Sequence, residues 1–188
     1  TRKESSAASD VYKRQRFGGR DARDCAQADW HRRIALLSQD APVFLGTLRT
    51  NLLIGDPQAD DAALWSALDA ARLGDFVRGL PDGLDTWAGE TGSQLSAGQA
   101  RRLCLARALL SPAAVIVLDE PTASLDPGEV ELVFGVIRTL RDQGLGIVII
   151  THFLDQVFAI ADRITVLRNG KLAVSYTHLR AHETSLHL

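Results

Sequence analysis

Ala114-Val115-Ile116-Val117-Leu118-Asp119-Glu120 is a β-branched, aliphatic run that ends in two acids. A run of this kind reads as a central strand of a parallel sheet. Acids delivered at the C-terminal end of such a strand lie in the crevice where open α/β sheets bind their ligands. Side chains alternate along a strand, so the two neighbours cannot share one task. One can hold a hard cation, for which carboxylate oxygen is the right ligand. The other can orient or deprotonate a water. That division suits nucleotide hydrolysis, in which a metal ion and a positioned water do most of the work. Read alone, the same residues are also two solvated acids at the end of a strand.

The flanking sequence supplies the rest of an α/β layer. Ile34-Ala35-Leu36-Leu37 reads as a buried strand ending at Ser38-Gln39, and Gly146–Ile150 as another. Asp60–Arg72 is helical, with Leu64, Leu68 and Ala71 at helical spacing. Ser96 is a good N-cap for a helix over Ala97–Leu110, which stops before Pro112. Pro127 stands where an N1 proline would, ahead of a helix with Val130, Val133, Phe134 and Ile137 on one face. Pro81-Asp82-Gly83 is a turn. Asn169-Gly170, between Ile164–Leu167 and Lys171–Ala173, is a strong hairpin signal. Strands alternating with helices imply a parallel sheet. Only helical patterns lie between Gln39 and Leu110, so a helical insertion is expected after the first strand.

The 188 residues carry 21 Lys+Arg against 23 Asp+Glu, with 46% apolar and 23% charged residues. Such a composition is globular and excludes disorder, collagen and a disulfide scaffold. The length suits one domain of about 100–200 residues. The longest aliphatic stretch, Ala113–Leu118, falls far short of the roughly 20 residues that a membrane helix needs. Cys25 and Cys104 have no metal-binding spacing and point to a reducing compartment. No basic block invites nucleic acid.

The two ends read differently from the middle. Residues 1–15 are polar, and residues 174–188 hold His178, His182 and His187; neither shows periodicity. Asp10–Gln15 can be encoded GAT GTG TAT AAG AGA CAG. The reverse complement, in another frame, translates as Val-Ser-Tyr-Thr-His, the sequence of Val174–His178. Beyond that inverted repeat, Ser5–Gln15 and Val174–Thr184 resemble translated transposase adaptors; the other reading is a disordered, tag-like tail on a real protein. The expected organisation is a non-native tail at 1–15, a folded insert at 16–173 and a second non-native tail at 174–188. The sequence contains no methionine, and the insert is expected to be an internal piece of a longer protein.

Leu95-Ser96-Ala97-Gly98-Gln99 joins a serine N-cap to a glycine that permits close backbone approach, at a helix N-terminus suited to an anion. It also reads as an ordinary capped helix. Taken singly, Gln39 is a surface amide and His152 a strand-end histidine. They occur, however, in one order: Gln39, Ser96–Gln99, Asp119-Glu120-Pro121-Thr122, Ser124-Leu125-Asp126 and His152. That order resembles the nucleotide-binding domain of the ATP-binding cassette family. The resemblance implies an α/β fold, a partial P-loop NTPase sheet with a helical subdomain, about residues 51–110, inserted after the Q-loop. It implies ATP and Mg2+ as ligands. Gln39 resembles the Q-loop glutamine, which senses Mg2+ and couples to a membrane domain. Asp119 resembles the Walker B aspartate on Mg2+, and Glu120 the base that polarises the water. His152 resembles the switch histidine that contacts the γ-phosphate. Ser96, Gly98 and Gln99 resemble part of the signature motif, which closes over the nucleotide of a partner subunit, and Asp126 resembles the D-loop aspartate.

Two departures stand out. Ala97 replaces the usual glycine but leaves Gly98 in place. The Walker A loop, a glycine-rich turn ending in Lys-Ser/Thr, has no counterpart, because Phe17-Gly18-Gly19-Arg20 lacks the lysine. In the family that loop lies farther upstream of the Q-loop than the insert reaches. The polypeptide is therefore expected neither to bind ATP tightly nor to hydrolyse it, although its parent would do both. Thr86–Gly92 resembles the exporter X-loop, with Glu90 as its acid. Residues 34–126 resemble the cysteine/glutathione exporter of cytochrome bd assembly, whereas 127–173 resemble a sugar-importer ATPase. Both classes share Asp119–Asp126, where two genes could have been joined. Trp65 and Trp87 read as packing residues and Cys104 as part of a buried helix face.

The implied function is the ATP-hydrolysing subunit of a bacterial transporter of exporter type, with a thiol or glutathione as the suggested cargo. Its partners would be a transmembrane domain and a second, head-to-tail nucleotide-binding domain at the cytoplasmic face of the inner membrane, with no nucleic acid. One alternative is a non-transport cassette ATPase of DNA repair or translation, against which the compact Leu52–Gln94 insertion argues. The other is an inactive, truncated or chimeric piece.

Overall fold

In the computed structural model a minimal antiparallel hairpin, β1 (Arg16–Phe17) and β2 (Arg20–Asp21), precedes strand β3 (Ile34–Leu37). The structure describes residues 16–17, 19–21, 24, 26, 32–40, 42–89, 92, 94–169 and 171–177. Residues 1–15, 178–188, Cys25 and Glu90, on which some of the readings above fall, lie outside the described residues.

Helices follow β3, as the sequence pattern requires. They are α1 (Leu48–Leu53), α2 (Asp61–Ala70), α3 (Gly74–Arg78) and α4 (Ala97–Leu110), with a 3-10 turn at Gly83–Asp85. Each longer helix starts at a side-chain cap, because the first turn has N–H groups with no intrahelical acceptor. Thr47 accepts from Thr50 N, Asp60 from Ala63 N, and Ser96 from Gln99 N. Buried Asn51 satisfies its whole amide: Oδ1 accepts from Phe44 N at 2.8 Å, and Nδ2 donates to the Phe44 and Thr47 carbonyls at 2.9 and 3.0 Å. It fixes the loop that enters α1. Arg49 is bound to both Asp61 and Asp85, which ties α1 to α2 and to the 3-10 turn.

Strand β4 (Val115–Asp119) then leads into α5 (Pro127–Asp142), strand β5 (Gly146–Ile150) and α6 (Leu154–Ile160). The described residues end in an antiparallel pair, β6 (Arg163–Arg168) and β7 (Lys171–Thr177). The turn between them has Asn169 at φ 51°, the positive angle that a two-residue hairpin demands. Strand β7 runs four residues past the boundary expected at 173, pairing Val174 with Val166 and Thr177 with Arg163.

The central sheet is parallel, in the order β3-β4-β5. Its register aligns Leu37, Leu118 and Ile149 on one face and Leu36, Val117 and Val148 on the other. The first face packs on α4 and α5, whose Leu103, Leu105, Val133 and Ile137 share a core with Leu37, Ile116 and Leu118. The second face departs from the sequence expectation of strands buried on both sides. Leu36 is 66% exposed, and Val148 and Ile150 are 48% and 52% exposed, because no described element covers that side.

Candidate functional site

The β4–β5 register sets Asp119 beside Ile150, so both strands leave the sheet at the same edge. Glu120 N–H extends the ladder by one bond, donating to the Ile150 carbonyl at 2.8 Å. The backbone then turns sharply: Glu120 takes φ 46°, a left-handed angle uncommon outside glycine. Its carboxylate meets the residues that follow β5. Thr151 Oγ1 donates to Oε2 at 3.0 Å, and His152 Nδ1 lies 2.7 Å from Oε1. An ionised carboxylate only accepts, so Nδ1 carries the proton. The side chain of Glu120 is 15% exposed and that of His152 72%, which leaves the pair sheltered at the acid and open at the imidazole. Burial pushes the Glu120 acid up, but the hydrogen bonds from His152 and Thr151 outweigh it and hold the carboxyl below the usual glutamate range.

Buried Thr122 hydrogen-bonds the Gln156 side chain and so ties the turn after Glu120 to α6. Asp119 makes no side-chain hydrogen bond or ion pair among the described residues, which leaves its oxygens open to a cation. Gln39 sits exposed in the turn after β3, and the Leu37–Leu118 pairing brings that turn to the same sheet edge. Arg101 of α4 holds the neighbouring carbonyl of Ser38 at 3.1 Å, and Arg107 that of Pro42 at 3.0 Å.

Ser96, Gly98, Gln99 and Asp126 form a second group. Ser96 and Gln99 make a reciprocal capping box: Gln99 N donates to Ser96 Oγ at 3.1 Å, and Ser96 N to Gln99 Oε1 at 2.9 Å. Asp126 caps α5 by accepting from Glu129 N at 3.0 Å. The Glu129 side chain reaches back, accepting from Ser96 Oγ at 3.1 Å. Among the described residues no hydrogen bond or ion pair joins this group to Glu120 and His152.

The donor set fits part of a metal-nucleotide complex. Mg2+ takes one or two carboxylates and completes its shell with water and phosphate oxygens. Asp119 suits that role although no cluster of three His, Cys, Asp or Glu exists among the described residues. A triphosphate also needs a lysine-bearing cradle, and the β1–β2 turn with Gly19 does not provide one.

The hydroxyl of Thr151, the Thr122–Gln156 bond and Glu129 had no role in the sequence reading. Their contacts depend on strand register and on where loops cross, which spacing along the chain does not encode. Trp87 is 49% exposed rather than packed, its backbone bridging Thr47. Trp65 stacks beneath the Arg78 guanidinium at 4.9 Å. Cys104 is buried as expected, and burial pushes its thiol up. No helix among the described residues is long and apolar enough to cross a membrane.

Comparison with known proteins bears on the same motifs. The ATP-dependent lipid A-core flippase of Ralstonia nicotianae is 40% identical over 158 residues, which make up 82% of this chain and 26% of the flippase. The glutathione/L-cysteine transport system ATP-binding/permease protein CydD of Escherichia coli is 36% identical over 159 residues, covering 84% of this chain and 26% of CydD. Alignments this long necessarily cross position 126, so the exporter similarity extends into the stretch that resembles a sugar importer. The structure of a bacterial Atm1-family ABC exporter with ATP bound superposes with a TM-score of 0.80 at 27% identity, over 93% of this chain and 32% of that one. The chain spans about a quarter of the length of these curated relatives. Residues 8–123 match the family described as ABC transporter, and the match begins inside the expected N-terminal tail. With the family match covering more than half of its length, the chain belongs to the ABC transporter family.

Proposed function

We propose that this chain is the water-activating part of the ATPase module of a bacterial ABC exporter. The observation that carries the reading is the Glu120 carboxylate, held ionised by Thr151 and His152 one residue beyond Asp119. Mg2+, when bound with ATP, would neutralise the charge that develops on the transferred phosphoryl group. Asp119, with Gln39 at the same edge, would hold the metal. Glu120, ionised at neutral pH, would accept a hydrogen bond from the attacking water and align it. His152 fixes that carboxylate through Nδ1 and leaves its exposed far edge to meet the γ-phosphate. Ser96, Gly98 and Gln99 would face a nucleotide held by a second copy of the domain, with Asp126 lining the same junction, in keeping with their separation from Glu120. The whole transporter would add a membrane-spanning part and work at the cytoplasmic face of the inner membrane. A thiol or glutathione cargo is supported by the similarity to CydD.

Phosphate release by the chain as it stands is expected at background, because its 188 residues include no Gly-Lys-Ser/Thr cradle. The same chain extended upstream with a Walker A strand, loop and helix is expected to release phosphate from ATP, and to stop when EDTA removes Mg2+. An extended chain that folds and binds ATP but releases no phosphate would overturn the reading.

A further inference from the structure

Glu129 is the third residue of α5, and its backbone is pinned there by Asp126. Its carboxylate lies against the first turn of α4 as well, between two helix N-termini that both favour negative charge. A serine hydroxyl has one proton to give. In this structure that proton goes to Glu129 Oε1, 3.1 Å away. The carboxylate also presses on the bare Cα of Gly98: a methyl group built there would stand 2.2 Å from Oε1. One turn along the same face lies Arg102, only 8% exposed, with Nε and Nη1 lacking a hydrogen-bond partner among the described residues. Burial works against its charge, and the carboxylate of Glu129 works in its favour. The corner thus holds a buried, underused cation, a glycine gap and a serine donor, and the anion seated among them is the carboxylate of Glu129.

We propose that Glu129 is an autoinhibitory plug: its carboxylate occupies the phosphate seat made by Ser96, Gly98 and Arg102, and must leave before a phosphate group can enter. The proposal rests on the signature-motif reading of Ser96–Gln99 given above. The seat takes a phosphate-type anion, and Glu129 sets the threshold for its entry. An anion that displaces the carboxylate gains the Ser96 hydroxyl and the vacant nitrogens of Arg102 together.

The full chain, labelled with 15N, tests this with inorganic tripolyphosphate as the probe and the amides of Ala97, Gly98 and Gln99 as reporters. Glu129→Gln keeps the size of the side chain, and Glu129→Ala removes it. Both are expected to bind at least tenfold more tightly than the unsubstituted chain, with shifts centred on the three amides. Adding Arg102→Gln to Glu129→Gln is expected to abolish the gain. Equal affinity with and without Glu129, with shifts at those amides, would overturn the plug and leave the signature reading intact. No shift at those amides in any variant that keeps the native amide dispersion would overturn both.

Discussion

At the scale of single residues, Glu120 concentrates the chemistry. Its left-handed φ of 46° is a conformation that a non-glycine residue holds only where its surroundings dictate it. Here the ladder bond to Ile150 and the two side-chain bonds from Thr151 and His152 do so. Because its folded acid is held below the usual range, these contacts contribute stability above the ordinary glutamate range, and that contribution is lost as pH falls through the lower folded value. His152→Ala is expected to move the Glu120 carboxyl titration up toward the ordinary range, as followed by its side-chain 13C shift. An unchanged midpoint would show that His152 does not hold the acid. Asp119, Glu120 and His152 stood out in the sequence only through the order of motifs shared with the family, since each alone reads as an ordinary residue at a strand end. Thr151 and Glu129 did not, since a hydroxyl and a first-turn acid gain meaning only from what the fold sets opposite them.

Helices and strands repeat this contrast. β3, α4 and β5 begin and end where the sequence reading put them, because caps, prolines and aliphatic runs mark their ends. α1 and α3, of 6 and 5 residues, fall in the expected helical insertion but were not delimited there, and the seven-residue α6 was missed, each being too short for a helical period to show. Ser96→Ala is expected to cost about 1 kcal/mol in thermal or denaturant unfolding through loss of the capping box. Two glycines separate backbone packing from propensity. A Cβ on Gly55, just past α1, would stand 2.1 Å from the Arg107 carbonyl of α4, which is backbone and cannot swing away. Gly55→Ala should therefore destabilise the fold by about 2 kcal/mol or more, as overpacking does. Gly135, inside α5, has nothing within 4 Å of an added Cβ, and Gly135→Ala should stabilise by up to about 1 kcal/mol. If the two changes proved alike, the α1–α4 contact would not be as close as described.

Across the whole molecule, the sheet joins what the sequence left as two resemblances. β4 lies before position 126 and β5 after it, yet they pair over five positions and share one core with α4 and α5. A sheet face carrying exposed Leu36, Val148 and Ile150 is an aggregation liability. Sedimentation is expected to show concentration-dependent self-association, reduced by Leu36→Gln with Val148→Thr at an unchanged melting midpoint; a monomer at every concentration would contradict it. That open face was not legible in the strands themselves, because an aliphatic run looks the same whether one side or both are covered. The central claim is that Glu120 activates water at the sheet edge. Its most direct measurement is the steady-state ATPase rate of the Walker A-extended chain with and without Glu120→Gln. The account predicts a kcat lower by about 100-fold or more with ATP still bound; a Glu120→Gln protein that hydrolyses ATP at the full rate would contradict it.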